Sequence, residues 1–362
     1  MRARTLATLG AVTAVLLSGC SGQDDPVVVP TTGAPAGLPT QPVDTGPLDS
    51  GTPETGPLGS GPATGGASGC SGSTVQVASA EQLEAALSQA TPGATIQLAD
   101  GVYEGRFVAT AKGTEAQPIT LCGGAGAVID GGGIKKGYAV HLDGADYWRL
   151  TGFTVRNSQK GVMADSTNHA VISGLTVTGI GDEAIHLRKF SSDNVVEKNT
   201  ISNTGQRREK FGEGVYVGSA VSNWPTITGG QPDNSDRNVV RDNKISATTA
   251  EAVDVKEGTT GGTVTGNTFD GSGLLEDADS WVDVKGNNWT ISKNTGTNSP
   301  EDGFQTHSVV KGWGRGNTFT GNVAQLNGSG YGFHFAPVED NRVSCDNQVV
   351  GAAKGLANVD CA

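Results

Sequence analysis

Short alternations of apolar and polar residues recur along the second part of the chain. In Glu251–Lys256 (EAVDVK), Val253 and Val255 alternate with Asp254 and Lys256. A period of two is typical of a β-strand with one buried face. We therefore expect the two valines to face a core and the two charged side chains to share the outer face.

The same alternation returns in eight segments spaced 22 to 38 residues apart. A strand-turn-strand unit with Asn or Gly at its corner, such as Val239–Ile245, lies between them. Very short strands, regular turns and this period predict an all-β fold, a right-handed parallel β-helix of about eight or nine coils. The eight segments are Ala139–Leu142, Gly161–Ala164, Ala184–Leu187, Gly214–Val217, Ala252–Val255, Trp281–Val284, Gly303–Thr306 and Gly332–Phe335.

One helix precedes the repeats. Residues Ala80–Ala90 place Leu83 and Leu87 on one face, Ser79 is a suitable N-cap, and Pro92 follows the last turn. A helix here would cover the open end of the sheets. In later coils, asparagines recur at one corner and predict a hydrogen-bonded ladder: Asn199, Asn243, Asn267, Asn294, Asn322 and Asn347.

The N-terminus has the pattern of an export signal. Arg2 and Arg4 precede an apolar run that ends in Leu17-Ser18-Gly19-Cys20. This ending resembles a bacterial lipoprotein box, which implies cleavage before Cys20 and attachment of lipid to it. We therefore expect a signal peptide over 1–19, a disordered tether rich in Pro, Gly and Thr over 20–69, and a β-helix domain over 70–362. The domain would be exported to the cell surface and anchored to the membrane by Cys20.

Four cysteines remain after Cys20, and four allow three pairings. We favour Cys70–Cys122 and Cys345–Cys361, one disulfide at each end of the domain. Metal binding by these cysteines is disfavoured because the chain has no short Cys-x-x-Cys spacing.

The formal net charge is −12. This charge argues against a nucleic-acid partner, because phosphates require clustered Lys and Arg. An acidic polysaccharide stays possible if a metal or local cations neutralise it. We expect a monomer whose membrane contact is limited to the lipid on Cys20.

Stacking the strands in register places corresponding side chains about 4.8 Å apart. Asp254 then lies on Asp283, and Lys256 lies on Lys285. Like charges across neighbouring strands cost a few tenths to about 1 kcal/mol, so this arrangement favours a functional site over a solvated face. The first outward column contains His141, Met163, His186, Tyr216, Asp254, Asp283, Gln305 and His334.

These residue types fit the cleavage of a uronate polymer by β-elimination. The hard oxygens of Glu213, Glu251, Asp254 and Asp283 are candidate Ca²⁺ ligands. Lys256, with a pKa lowered by neighbouring cations, is the candidate base. Three cationic residues are candidates for neutralising or protonating the leaving sugar: Lys285, Arg188 and His307.

Candidate substrate contacts come from side chains beside these groups. The longest interval between strands contains Ser219–Asp236, and a loop beside a rigid solenoid face commonly forms a binding wall. Trp281 stands at an otherwise small position, so we expect it in the groove. The full set is His186, Tyr216, Trp224, Trp281 and His334.

The coil pattern and the Glu251…Lys256 spacing resemble the β-helical polysaccharide lyases, a group that includes chondroitinase B and alginate lyases; pectate lyases have a similar fold. The resemblance implies that Glu251 binds calcium and Lys256 acts as the base. The chain departs from the group in two places. Thr249 stands where the group has a second acid, and Lys285 stands nearest to its catalytic arginine.

Two alternatives stay open. Asp254 and Asp283 could form the carboxylate pair of a glycoside hydrolase, although the Asp-Asp and Gly-His-Gly motifs of β-helical polygalacturonases are missing. The chain could also bind glycan or cell wall without cleaving it, because a fold does not imply an activity.

Overall fold

The structure is a computed structural model that describes residue 70, residues 74–275 and residues 278–362. The predicted signal peptide, the lipidated Cys20 and the tether lie outside the described residues. In the described part of the chain, none of the helices has the length and apolarity needed to cross a bilayer.

Three parallel sheets of eleven, ten and ten strands wind around one core. Sheet 1 contains Thr74–Val77, Thr95–Leu98, Ile119–Cys122, Trp148–Thr151, Val171–Ser173, Val195–Glu197, Val239–Arg241, Thr263–Thr265, Thr290–Ser292, Thr318–Thr320 and Arg342–Val343. Sheet 2 contains Gly101–Glu104, Ala127–Asp130, Thr154–Arg156, Thr176–Thr178, Thr200–Ser202, Lys244–Ser246, Thr268–Asp270, Thr295–Thr297, Val323–Gly328 and Gln348–Ala352. Sheet 3 contains Phe107–Ala109, Tyr138–Asp143, Lys160–Asp165, Ile185–Arg188, Val215–Val217, Val253–Val255, Val282–Val284, Phe304–His307, Tyr331–Ala336 and Gly355–Ala357.

The predicted parallel β-helix is confirmed, with about ten coils rather than eight or nine. The additional coils lie at the ends, where strands such as Phe107–Ala109 and Gly355–Ala357 lack the charged alternation that identified the others. Alternation places the apolar residues inward, so Val253 and Val255 lie in the core with no exposed surface.

Both ends of the solenoid are secured as the sequence predicts. The helix Ala80–Ser88 lies at the first coil, and the Ser79 side chain accepts a hydrogen bond from the backbone of Gln82. Disulfides join Cys70 to Cys122 and Cys345 to Cys361, which confirms both predicted pairings. Among the residues that the structure describes, the remaining helical segments are a short α-helix, Trp224–Ile227, and three 3₁₀ turns, Glu209–Phe211, Val221–Asn223 and Gly271–Gly273.

The asparagine ladder is also confirmed. The Oδ1 atom of Asn267 accepts hydrogen bonds of 2.9 Å from both the backbone N–H and the side-chain Nδ2 of Asn243. The same pair of bonds joins Asn199 to Asn243 and continues through the later coils. The ladder supplies partners for buried backbone groups at a corner where the sheet bonds stop.

Candidate functional site

The outward column of sheet 3 has the register that the sequence predicts. His186 pairs with Tyr216, Tyr216 with Asp254, and Asp254 with Asp283. The column continues through Gln305 to His334. The predicted candidate residues on this column are therefore neighbours across adjacent strands.

We use the name charged strip for the polar side chains on this outer face of sheet 3, from Lys160 to His334. Its middle is far less accessible than the sequence suggests, since Asp254 is 1% and Lys256 2% exposed. Long corners on both sides contribute to this burial. The backbone of Glu209 accepts a 2.6 Å hydrogen bond from Thr249, and the backbone of Val221 donates a 2.7 Å bond to Glu257.

Charges of opposite sign alternate along the strip, although like charges are stacked by backbone register. Lys256 Nζ lies 2.6 Å from Asp254, and Lys285 Nζ lies 3.0 Å from Asp254 and 2.5 Å from Asp283. His307 Nδ1 lies 2.9 Å from the other oxygen of Asp283. The expected repulsion between stacked like charges is therefore offset, because each lysine reaches toward a carboxylate.

These contacts correct the predicted state of Lys256. Burial alone would lower the pKa of this lysine, but the adjacent Asp254 carboxylate, with Glu251 and Glu213, raises it well above its usual range. Lys285 is affected in the same way, with burial opposed first by Asp254 and then by Asp283, so its pKa is also raised. The prediction of a lysine with a lowered pKa is wrong for this arrangement, in which carboxylates outnumber the neighbouring cations.

His307 ends this row of charges. The Asp283 carboxylate raises the pKa of His307 to about 9 against the effect of burial. In turn, His307 and Lys285 hold the pKa of Asp283 far below its usual range although burial opposes them. About one third of the His307 side chain is exposed, so a protonated imidazole faces solvent at neutral pH.

Three of the four predicted metal ligands come together. Oxygen atoms of Glu213, Glu251 and Asp254 lie within 4.8 Å of one another, and all three residues are buried. Asp283 lies outside this group because it is bound to Lys285 and His307, so the predicted set of four is corrected to three.

One oxygen of this carboxylate group, Glu213 Oε2, is buried and has no hydrogen-bond partner among the described residues. Burial, and then repulsion from Glu183 and Glu251, raises the pKa of Glu213 well above its usual value. Burial and the Asp254 charge raise the pKa of Glu251 to about 7. Such oxygens require either a proton or a cation, and three hard oxygen donors suit Ca²⁺.

The rings of two predicted substrate contacts, His186 and Tyr216, are in contact at a tilted angle. Their ring centroids are 4.4 Å apart, and Lys256 Nζ lies 4.9 Å from the centre of the Tyr216 ring. His186 is only 1% exposed and is 2.9 Å from the carbonyl oxygen of Gly218. His186 therefore packs against Tyr216, and the Tyr216 ring in turn lies against the Lys256 ammonium group.

Arg188 is bound to residues of the preceding coils. Its Nε atom is 2.8 Å from Asp165, and Asp165 also contacts His141 at 3.0 Å. A further hydrogen bond of 3.1 Å joins Arg188 to the hydroxyl of Tyr138. The structure thus ties this predicted catalytic cation to partners three and four coils away from Lys256.

Both tryptophans among the predicted substrate contacts are buried. Trp281 has no exposed surface, packs edge-to-face on Phe304, and fills the space left by Gly296, where a Cβ would lie 2.3 Å from its ring. The prediction that Trp281 lies in the groove is wrong. Trp281 directly precedes the strand Val282–Val284, and its side chain points into the core. Trp224 donates a 2.9 Å hydrogen bond to the backbone of Ser219 and so holds the insertion together. His334 remains one-third exposed and contacts Asp302 at 2.8 Å.

A pocket of about 80 Å³ opens beside Glu251, next to the middle of the charged strip, and the sequence alone did not predict it. Two long corners between strands form its walls, one before Gly214 and one before Trp281. In the sequence, only the extra length of these two intervals indicated the pocket. The lining residues are Glu209, Lys210, Thr249, Ala250, Glu251, Leu275 and Ala278.

Comparisons with known proteins agree with this fold. Residues 123–279 match the family model described as right handed beta helix region. The crystal structure of an alginate lyase from Paenibacillus sp. str. FPU-7 is 38% identical, covers 78% of this chain and 97% of its own, and superposes with a TM-score of 0.71. The chain therefore belongs to the right-handed β-helix family that contains this alginate lyase.

A more distant structure shows the fold alone. The pectate lyase Pel9A is 14% identical, covers 80% of this chain and 79% of its own, and has a TM-score of 0.51. No curated protein sequence matches the chain.

Proposed function

We propose that this protein is a lyase that cleaves a uronate-containing polysaccharide by β-elimination, with alginate as the first candidate substrate. The observation that carries the proposal is the buried carboxylate group beside Lys256 and Tyr216, in a chain 38% identical to an alginate lyase over 97% of that enzyme. A substrate carboxylate would be recognised by Lys285, which lies beside His307 toward the more open end of the row.

The reaction needs a base, a proton donor and neutralisation of the substrate carboxylate. The base removes the proton next to the uronate carboxylate, its electrons form a carbon–carbon double bond, and the bond to the leaving sugar oxygen breaks. That oxygen takes a proton. His307, protonated at neutral pH and partly exposed, is the proposed proton donor.

Lys256 is the proposed base, on one condition. The charges of Asp254, Glu251 and Glu213 cause its raised pKa. Once these carboxylates are neutralised, burial is the remaining influence, and burial lowers the pKa of a lysine. Glu213, Glu251 and Asp254 would hold Ca²⁺, which supplies Lewis-acid neutralisation of a carboxylate when bound.

Burial of the strip favours a second candidate, a protein that binds an acidic glycan without cleaving it. Asp254 and Lys256 are nearly inaccessible, so cleavage requires the corners beside them to move. The glycoside hydrolase alternative is disfavoured, because Lys285 bridges the carboxylates of Asp254 and Asp283.

One screen separates these functions. The protein is incubated with alginate, polygalacturonate or chondroitin sulphate, with Ca²⁺ or a chelator, and unsaturated products are followed by ultraviolet absorbance. A lyase gives absorbance that Lys256→Ala abolishes. New reducing ends without absorbance indicate a hydrolase, and retarded migration in a polymer gel without products indicates a binder.

We also propose that the domain is exported and anchored through Cys20, with 20–69 as a tether, and that it is monomeric. The two disulfides support an oxidising compartment. Cys20→Ser should release the protein from membranes into the soluble fraction, where gel filtration measures its oligomeric state. Retention of Cys20→Ser on membranes contradicts the lipid anchor.

A further inference from the structure

A second and larger pocket lies on sheet 1, on a different sheet from the charged strip. Its volume is about 260 Å³. It lies in the early coils, whereas the carboxylate group lies in the middle of the solenoid. The lining residues are Glu115, Pro118, Tyr147, Arg149, His169 and Val171.

Unequal corners create this concavity. Residues 110–118, between sheets 3 and 1, form a longer corner than residues 144–147 and 166–170 in the next two coils. The long corner is fixed to the next coil by a 2.7 Å ion pair between Lys112 and Asp146 and by a 2.9 Å bond from the Gly113 N–H to the Asp146 carbonyl. It therefore forms a wall beside a flat strand surface.

Two rings form the side of the pocket. Tyr147 and His169 are stacked with centroids 4.6 Å apart and planes 18° apart. Both residues have left-handed backbones, with φ of 56° and 58°, which costs a bulky residue about 1–2 kcal/mol. Their N–H groups donate to the backbone carbonyls of Asn168 and Ser192 respectively, which fixes the backbone at both corners.

Arg149 provides the charge. It is exposed on strand Trp148–Thr151, beside Val171 of the next strand. Within the described part of the chain, Arg149 has neither an ion-pair partner nor a side-chain hydrogen bond. A guanidinium presents parallel donors that match the two oxygens of a carboxylate.

We propose that this pocket is an accessory binding site for a carboxylate-bearing sugar residue. Arg149 pairs with the sugar carboxylate, the Tyr147–His169 pair packs against the ring, and Glu115 accepts a hydrogen bond from a hydroxyl. The choice of a uronate rests on the proposed function. Because the site lies on another sheet, it would hold one part of a polymer while another part reaches the charged strip.

Histidine NMR tests the site directly, because the chain has five histidines. The exported chain with Cys20→Ser is labelled in its imidazole rings, and His169 is assigned with His169→Gln. Alginate trisaccharide and trigalacturonate are the probes, and maltotriose is the neutral comparison. We expect binding at the strip to leave the His169 signal unchanged, because His169 lines the pocket on sheet 1 whereas the strip lies on sheet 3.

We expect the His169 signal to shift saturably with at least one acidic trisaccharide. Arg149→Ala should weaken this Kd about tenfold, as for the loss of one charge-assisted pair. Arg342→Ala is the matched control, since it removes an exposed arginine from the last strand of the same sheet.

A His169 signal that stays unchanged at saturating ligand overturns the site. So does a Kd from the His169 titration that is equal for the wild type and Arg149→Ala. Equal affinity for maltotriose overturns the assignment of a carboxylate-bearing sugar. A His169 shift without unsaturated products contradicts the proposed lyase activity and supports this site. Unsaturated products without a His169 shift support the lyase activity and contradict this site.

Discussion

At the residue scale, the protonation state of the carboxylate group determines what Lys256 can do. The 2.6 Å pair with Asp254 keeps this buried lysine charged. In the proposed reaction, neutralisation of its acidic neighbours leaves burial to lower the pKa of Lys256. Tyr216 packs under the same ammonium group, so the fold positions the lysine from two sides.

Lys256→Ala should lower the rate of product formation by at least about 100-fold, because a positioned base contributes 10²–10⁴-fold. Lys244→Ala is the matched control, since Lys244 is an exposed lysine on sheet 2. Initial rates of ultraviolet absorbance on the preferred polymer measure both variants. Equal rates would remove Lys256 from the reaction.

Glu251→Gln should stabilise the protein above neutral pH. The folded pKa of about 7 exceeds the usual value of 4.5, so the unfolded chain releases this proton first as pH rises. Stability therefore falls as pH rises from about 4.5 to 7, and the glutamine removes that loss. Melting temperatures at pH 5 and pH 8 test this. A variant gain that is equal at both pH values contradicts the raised pKa.

Calcium should raise the melting temperature at pH 8, because it would supply the missing partner of Glu213 Oε2. At a hundredfold excess over Kd the gain is about 2.7 kcal/mol. Glu213→Gln should remove most of this gain, whereas Glu301→Gln, an exposed acid, should keep it. Thermal melts without polysaccharide measure this effect. If calcium does not change the melting temperature of the wild type, protons rather than a cation neutralise the carboxylate group.

At the element scale, each corner decides whether a coil only stabilises the solenoid or also shapes a site. Tight asparagine corners satisfy the backbone and leave the surface flat. Longer corners at 110–118 and 203–212 rise beside the strands and produce the two pockets. Function in this fold is therefore concentrated where the repeat is interrupted.

Asn267→Ala should destabilise the protein by roughly 3 kcal/mol, since it removes bonds to Asn243 and Asn294 and leaves buried groups unpaired. Thr268→Ala, at the exposed neighbouring position, is the control and should change stability by less than about 0.5 kcal/mol. Urea unfolding measures the difference. A loss no larger than that of the control would show that the ladder contributes little.

At the scale of the whole molecule, stability depends on contacts between neighbouring coils, so each end needs its own closure. The helix and the Cys70–Cys122 disulfide secure the first coils, and the Cys345–Cys361 disulfide closes the last. The carboxylate group lies in the middle, where coils on both sides support it.

Replacing Cys345 and Cys361 with serine should loosen the last coil without loss of activity. The disulfide closes a separation of 16 residues, for which the unfolded-state constraint is about 3 kcal/mol. Hydrogen exchange should accelerate at Arg342–Val343 and Gln348–Ala352, but not at Val253–Val255. Equal acceleration throughout the chain would indicate global destabilisation instead.

The sequence by itself determined the coil architecture, the register of the outward column, the asparagine ladder and both disulfides. These features depend on local alternation and fixed spacing, which a linear pattern records directly. Glu213, Glu251, Asp254 and Lys256 were also found this way, because register brings side chains on adjacent strands together.

Only the tertiary structure decided how those groups pair and what covers them. Lys285 reaches back to Asp254, Asp283 turns to His307, and Trp281 points into the core, because side-chain direction and corner conformation are not periodic. Burial and the surrounding charges then set the pKa values, which depend on the three-dimensional neighbours of each group rather than on its position in the repeat.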